Sequence, residues 1–123
     1  MTVSEAINWV DNGLPNTCDM TQKVRWLSEL DHKVKLEILD THIGGETAQL
    51  QPYDPDADAD RALLVPHPFD TIYLRWLEAC IHKHNEDMKR WNNAIILYNS
   101  EWAAFAAWYH RKHKPCGSGE FRF

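Results

Sequence analysis

The stretch Trp91-Asn-Asn-Ala-Ile-Ile-Leu-Tyr-Asn-Ser-Glu-Trp-Ala-Ala-Phe-Ala-Ala-Trp-Tyr109 decides the fold. Large apolar residues recur in it at spacings of four and three, which places them on one side of an α-helix of ~3.6 residues per turn. The residues of this seam are Trp91, Ile95, Tyr98, Trp102, Phe105 and Tyr109. Ala94, Leu97, Ala104 and Trp108 widen it on one side. A seam this broad requires more than one packing neighbour, so the sequence predicts a helical bundle.

Three more helices are predicted upstream of this one. Thr2 and Glu5 have the spacing of a capping box, at the start of a short first helix that Gly13 and Pro15 bring to an end. The second helix is predicted to run for about five turns from a cap at Asp19 or Thr21. Its apolar stripe comprises Val24, Leu27, Leu30 or Asp31, Val34 and Ile38.

The third helix is expected to begin with Asp70 as its cap, just after Pro68. Its apolar stripe comprises Ile72, Tyr73, Trp76, Leu77, Cys80 and Ile81. Residues 84–86 either interrupt the helix and separate the third helix from the last one, or they lie within one continuous helix. The fold class is therefore all-α, a small bundle of about four helices formed by one domain over residues 1–123. Leu27, Leu30, Trp76, Trp91, Tyr98, Trp102 and Phe105 are the predicted core or inter-subunit anchors.

Two segments outside the helices are predicted to be arms that contact partners. Residues 44–68 contain four prolines and a Gly-Gly pair, which exclude helix over most of a long loop or hairpin. Residues 115–123 contain two glycines and are expected to form an extended C-terminal tail. The expected contact residues, with those of the basic end of the last helix, are Tyr53, Asp54, Asp56, Asp58, Asp60, Leu63, Leu64, Val65, Arg111, Lys112, Lys114, Phe121, Arg122 and Phe123.

Composition narrows the class of protein. A chain of 123 residues with 44% hydrophobic residues is the size of one ordinary domain. A net charge of −5 argues against general binding to nucleic acid, since such proteins are basic. We expect no membrane span and no signal peptide, and the three widely spaced cysteines predict free thiols rather than a disulfide framework. Six tryptophans are compatible with both core packing and subunit contacts.

Charge is divided unevenly along the chain. Residues 1–70 contain 13 acidic and 5 basic residues, net −8, whereas residues 71–123 contain 5 acidic and 8 basic residues, net +3. This asymmetry suits head-to-tail contact between copies, in which the acidic loop of one copy meets the basic end of another. The alternative is that the acidic loop is only solvated.

Catalytic and metal sites have no positive support in the sequence. The alternating aspartates from Asp54 resemble the start of a calcium loop, but Ala59 and Val65 stand where its glycine and glutamate would be required. Cys80 and His84 share one side of a helix, yet they lack a second pair of zinc ligands at a fixed spacing. No nucleophile elbow or phosphate loop is present. We expect a non-enzymatic protein without metal or cofactor.

A basic cluster lies at the end of the last helix, in His110-Arg111-Lys112-His113-Lys114. Cations at a helix C-terminus stabilise the helix dipole, which accounts for the cluster without a ligand. Contact with DNA phosphates is the alternative.

Two stretches together resemble a known family. The first is Lys23-Val-Arg-Trp-Leu-Ser-Glu-Leu-Asp31, and the second runs from Leu63-Leu-Val-Pro-His-Pro-Phe-Asp-Thr-Ile-Tyr73 through Asn85-Glu86 to Arg90-Trp-Asn-Asn93, Tyr98-Asn99 and Trp108-Tyr109. The pattern resembles small head–tail connector (adaptor) proteins of siphophages and prophages of Gram-positive bacteria. It covers most of residues 2–113. The chain has His84-Asn85-Glu86 where Asn-Gly-Glu is expected between the last two helices.

The resemblance implies a role in the neck of a virion. Twelve copies of the chain, made in the cytoplasm of the bacterial host, would form a ring that joins the portal protein to a stopper or tail-completion protein. DNA would pass through the ring without sequence-specific binding, and a net negative charge would keep it from adhering. Another neck or tail-completion protein and a small cytoplasmic regulator that binds a partner protein or DNA remain the alternatives.

Overall fold

The computed structural model describes residues 1–39 and 51–112, which form four α-helices. These are α1 (Val3–Gly13), α2 (Met20–Glu37), α3 (Ile72–His84) and α4 (Met88–Lys112). Over this part of the chain the only β-type pairing is one antiparallel bridge between Thr2 and Ala62. The prediction of a small all-α bundle is confirmed. None of these helices is both long and apolar enough to cross a membrane.

The first two helices begin where the capping patterns place them. The Thr2 hydroxyl accepts a hydrogen bond from the Glu5 amide at 3.2 Å, and the Glu5 carboxylate accepts one from the Thr2 amide at 2.8 Å. This reciprocal pair is the capping box that the sequence predicts. At the start of α2, Asp19 accepts a hydrogen bond from the Gln22 amide at 2.9 Å, so that Asp19 rather than Thr21 is the cap.

The predicted cap of α3 is wrong. Ile72 is preceded by a 3₁₀ turn over Phe69–Thr71, and Thr71 is the N-terminal flanking residue, without a capping hydrogen bond from its side chain. Asp70 lies within that turn, and a residue in helical backbone cannot take up the extended conformation of an N-cap. Its buried carboxylate lies instead 3.7 Å from the ammonium group of Met1, beside the start of α1.

A tight turn separates α3 from α4. Glu86 has a φ of 59°, a left-handed conformation that ends α3. The Asp87 carboxylate then accepts a hydrogen bond from the Arg90 amide at 3.2 Å and caps α4. The two helices are therefore distinct, and the short connection makes them a packed helical hairpin.

The segment before α3 is bound to the first helix by its backbone. The Val3 amide donates to the Arg61 carbonyl at 3.0 Å, and the Leu63 amide donates to the Met1 carbonyl at 3.0 Å. These two hydrogen bonds hold residues 61–63 against the start of α1. The part of the predicted arm that the structure describes, residues 51–68, is therefore wrapped on the bundle, and we call it the wrapped segment.

One core unites the four helices and this segment. Its largest fully buried side chains are Tyr73, Phe105, Ile7, Leu27, Leu30, Ile38, Ile72, Leu77, Ile81, Val3 and Val24. Tyr98 and Tyr109 of the α4 seam are also buried, whereas Trp76, Trp91 and Trp102 are half-buried. The seven predicted anchors thus divide into four core residues and three tryptophans that lie partly at the surface.

Candidate partner-binding site

A buried carboxylate, Asp31, fastens the wrapped segment to the bundle. Its Oδ2 accepts hydrogen bonds from the Tyr53 hydroxyl at 2.5 Å and the Leu64 amide at 3.1 Å, and its Oδ1 accepts one from the Tyr73 hydroxyl at 2.5 Å. The Tyr73 oxygen in turn accepts a hydrogen bond from the Val65 amide at 2.7 Å. Helix α2, the wrapped segment and α3 therefore meet at one carboxylate, which we call the Asp31 clip.

Three predicted contact residues serve the protomer's own core because of this clip. Tyr53, Leu63 and Val65 are buried, and Leu64 is half-buried. These side chains pack in the core of their own chain, and their role as partner contacts stays a prediction. Residues 44–50 of the predicted arm lie outside the described residues.

The four aspartates form an acidic turn at the surface of the wrapped segment. Hydrogen bonds from the Ala57 and Asp56 amides to the Asp54 carboxylate hold the pKa of Asp54 below its ordinary value. Asp58 accepts a hydrogen bond from the Asp54 amide at 2.7 Å. The carboxylates of Asp54 and Asp58 thus build the turn, while the exposed Asp56 and Asp60 offer negative charge to a basic partner.

Three half-buried tryptophans line a surface pocket between α2, α3 and α4. Trp26, Trp76 and Trp91 contribute its aromatic walls, and the charged residues Glu29 and Lys83 also line it. The volume of this tryptophan pocket is about 400 Å³, which lies within the range of ligand pockets. Aromatic walls with charged groups at the edge are typical of anchor sites for side chains of a partner protein.

Contacts within the walls hold the tryptophan pocket in shape. The Trp76 indole N–H donates to the Trp26 carbonyl at 2.8 Å, which joins α3 to α2. The His84 ring packs edge-on against Trp26, with ring centroids 6.3 Å apart. Lys83 Nζ lies 6.0 Å from the centroid of the Trp91 ring, a cation–π distance. The pocket is therefore built before any ligand arrives.

The side of α4 that faces away from the bundle is also apolar. Ile96 is 64% exposed and Leu97 is 47% exposed, although both are large hydrophobic residues. The exposed residues that share this side at helical spacing are Asn93, Ile96, Leu97, Ser100, Ala103, Ala104 and Ala107. The expectation that Leu97 and Ala104 widen the packing seam is corrected, because both are exposed on this side instead. We call this surface the outer face of α4. Large residues beside small ones permit a second helix to approach closely.

The basic end of α4 is exposed at Arg111 and Lys112. Both residues belong to the last turn of the helix, where positive charge stabilises the dipole. The other predicted contact residues of this region, Lys114, Phe121, Arg122 and Phe123, lie outside the described residues.

The described residues hold no cluster that resembles a metal site. Cys80 and His84 line the same pocket, as their spacing predicts. In residues 1–39 and 51–112, however, no three histidine, cysteine or acidic side chains converge. Burial raises the pKa of the Cys80 thiol to about 12.

Sequence reasoning missed the roles of Asp31, Glu29 and Lys83. A signal for the first was present, because Asp31 occupies an apolar position of the α2 stripe, and a charged residue there is almost never buried without partners. The two pocket residues carry no such signal, since exposed charges are ordinary on helix surfaces.

The Asp31 clip should make stability depend on pH. Burial raises the pKa of Asp31, and hydrogen bonds from Tyr53 and Tyr73 offset only part of that rise. The folded state therefore binds this proton more tightly than the unfolded chain does. The contribution of Asp31 to the free energy of unfolding is largest below the unfolded pKa, and it declines as the pH rises through the folded pKa.

Asp31→Asn removes this titration and retains a side chain of similar shape. Urea titrations measure the free energy of unfolding of the unsubstituted chain and of Asp31→Asn. The first value minus the second is expected to fall as the pH rises from about 3.5 to 7. Asp60→Asn alters an exposed carboxylate and leaves the Asp31 titration in place, so its profile should run parallel to that of the unsubstituted chain. A difference that grows with pH would show that the pKa of Asp31 is lowered.

The chain was also compared with known proteins. No protein-family model, no curated protein and no solved structure matches it.

Proposed function

We propose that the chain is a structural assembly protein of the head–tail connector type. Copies of it form a ring, located in the neck of a virion, that joins a portal protein to a stopper or tail-completion protein. DNA passes through this ring. The proposal assigns no catalytic residue and no cofactor, and the twelve-fold copy number derives from the resemblance to siphophage connectors.

The outer face of α4 carries the proposal. Tyr98 and Phe105 bury one side of α4 in the bundle, while Ile96 and Leu97 leave the opposite side apolar and exposed. A helix that is apolar on two opposite sides requires a second neighbour, and a second copy of the chain can supply it. Single exposed aliphatic residues are common, but adjacent ones in a continuous stripe are typical of interaction surfaces.

Charge supports contact between different surfaces of successive copies. The acidic turn exposes Asp56 and Asp60, whereas α4 exposes Lys89, Arg111 and Lys112. An interface between unlike surfaces repeats around an axis and closes into a ring when the rotation permits. Opposite charges on the two surfaces would orient successive copies in one direction.

The mass of the protein in solution tests this proposal. Light scattering should be measured on the protein alone and on its mixture with the cognate portal protein. A complex with one fixed ring stoichiometry is the expected result. A monomer or dimer that does not join the portal would contradict the proposal, and salt-dependent retention of that species on DNA would then favour a regulator.

Substitution of the outer face should abolish the ring. In Ile96→Glu with Leu97→Glu, two charges replace apolar side chains whose burial contributes about 1.5–3 kcal/mol each. We expect at least a roughly tenfold loss of assembly at equal protein concentration, with unchanged helical circular dichroism. Met20→Glu is the matched control, because Met20 is 48% exposed and lies on another helix. Equal assembly of the double variant and the control would exclude the outer face as the interface.

A further inference from the structure

We propose that the tryptophan pocket receives the Trp9 side chain of a second copy of this chain. The inference rests on the proposed function only because copies of the chain must meet. It concerns a contact other than the outer face of α4, and it names the occupant of a pocket to which that proposal gives no role.

Trp9 is an exposed aromatic side chain on an otherwise polar face of α1. It is 68% exposed, whereas the other five tryptophans of the chain are half-buried. Its neighbours on this face, Glu5, Asn8 and Asn12, are exposed and polar. A large aromatic residue surrounded by polar ones is typical of an interface hot spot, which packs into a pocket of the partner while the polar rim excludes water.

Trp9 does not enter the tryptophan pocket of its own copy. The described walls of that pocket belong to α2, α3 and α4, whereas Trp9 lies on α1. The opposite side of α1 is held in the core by Ile7 and Val10, which are both buried. The Trp9 ring is therefore fixed at the surface, and a pocket on another copy can receive it.

The pocket suits an indole in size and in chemistry. A cavity of about 150 Å³ accommodates benzene, so a pocket of about 400 Å³ accommodates the two fused rings of an indole. Trp26, Trp76 and Trp91 offer half-buried rings for offset or edge-on packing. A buried indole N–H requires an acceptor, and the exposed carboxylate of Glu29 at the pocket edge can supply it.

The charge beside Trp9 complements the cation at the pocket edge. The Met1 ammonium group and the Asp70 carboxylate lie 3.7 Å apart and balance each other, which leaves the exposed Glu5 as the net charge beside Trp9. Lys83 is exposed at the pocket edge and carries the opposite charge. Two unlike surfaces form a head-to-tail contact, which is the type of contact from which rings are built.

A mixing experiment tests this contact separately from the ring interface. All chains carry Ile96→Ser and Leu97→Ser, which remove the apolar outer face of α4 without adding charge near the pocket. One chain also carries Trp9→Ala, and the other also carries Trp91→Ala. Sedimentation at up to about 1 mM protein should show dimers in the mixture and monomers of each chain alone, because only the mixture combines an intact pocket with an intact Trp9.

The outcomes of the mixing experiment distinguish the two proposals. Monomers throughout would overturn the Trp9 contact and leave the ring proposal standing. Dimers of either chain alone would also overturn it, since they would form without Trp9 or without the Trp91 wall. A mixed dimer combined with unchanged assembly of Ile96→Glu with Leu97→Glu would support the Trp9 contact and exclude the outer face of α4 as the ring interface.

A charge reversal at the pocket edge keeps the test independent of core folding. Lys83 is exposed, so Lys83→Glu in the chain with Trp9→Ala should leave the fold intact and weaken the mixed dimer about threefold. Lys89→Glu is the matched control, because Lys89 is also exposed but lies outside the described lining of the pocket. Equal effects of the two substitutions would show that Trp9 does not reach this pocket and would overturn the proposal.

Discussion

Asp31→Ala is expected to lower the free energy of unfolding by about 3–4 kcal/mol, among the largest losses for a polar residue of this chain. The Tyr53 and Tyr73 hydroxyls and the Leu64 amide would lose their common acceptor in one step. Each buried donor left without a partner costs about 1–3 kcal/mol, and release of the buried charge offsets part of the sum. Urea unfolding followed by circular dichroism measures the loss.

Two variants define the origin of this loss. Tyr53→Phe removes one donor and keeps the other two bonds of the clip, so a smaller loss of about 1.5–3 kcal/mol is expected. Asp56→Ala removes an exposed carboxylate from the acidic turn and should change the free energy of unfolding by less than about 0.5 kcal/mol. If Asp31→Ala behaved like Asp56→Ala, the clip would not hold the wrapped segment.

Phe105→Ala is expected to lower the free energy of unfolding by about 3–5 kcal/mol. The side chain is fully buried, and its ring lies 5.9 Å from the ring of Phe69 and 5.9 Å from that of Tyr109, between centroids. Truncation removes the transfer free energy of the ring and leaves a cavity that rigid aromatic neighbours fill poorly. Since a domain of this size is stable by about 5–15 kcal/mol, the variant should unfold at a markedly lower urea concentration.

Leu36→Ala is the matched control for this cavity. Leu36 is also a large apolar residue on a helix, but it is 69% exposed, so its truncation should cost less than about 1 kcal/mol. Comparable losses in Phe105→Ala and Leu36→Ala would mean that the α4 seam does not form the core.

The Asp31 clip and the outer face of α4 have separate roles. The outer face of α4 is the proposed ring interface, whereas the Asp31 clip is buried and keeps the wrapped segment on the bundle. The clip concerns stability alone. Its variants should therefore alter unfolding without altering assembly under conditions in which the protein remains folded.

Local patterns in the sequence were sufficient for the helices. The Thr2 and Glu5 capping box and the Asp19 cap each act within three residues, and the α4 seam repeats within two turns. Such interactions depend on near neighbours only, so a sequence pattern predicts them directly. Asp70 failed as a cap because a 3₁₀ turn was inserted before α3, and the sequence around Pro68 is compatible with either arrangement.

The sequence by itself determined the fold class, the starts of α1 and α2, and the buried part of the α4 seam at Tyr98, Phe105 and Tyr109, because periodicity and capping are local. Only the tertiary structure decided which side chains meet. Tyr73 reaches Asp31 across 42 residues of sequence, and the Trp76 indole reaches the Trp26 carbonyl across 50. These contacts depend on how the helices pack. Because of them Asp31, a charged residue on the apolar stripe of α2, becomes the common acceptor of the Asp31 clip. The same packing leaves three tryptophans around an open pocket, where spacing alone would place them equally well in a core.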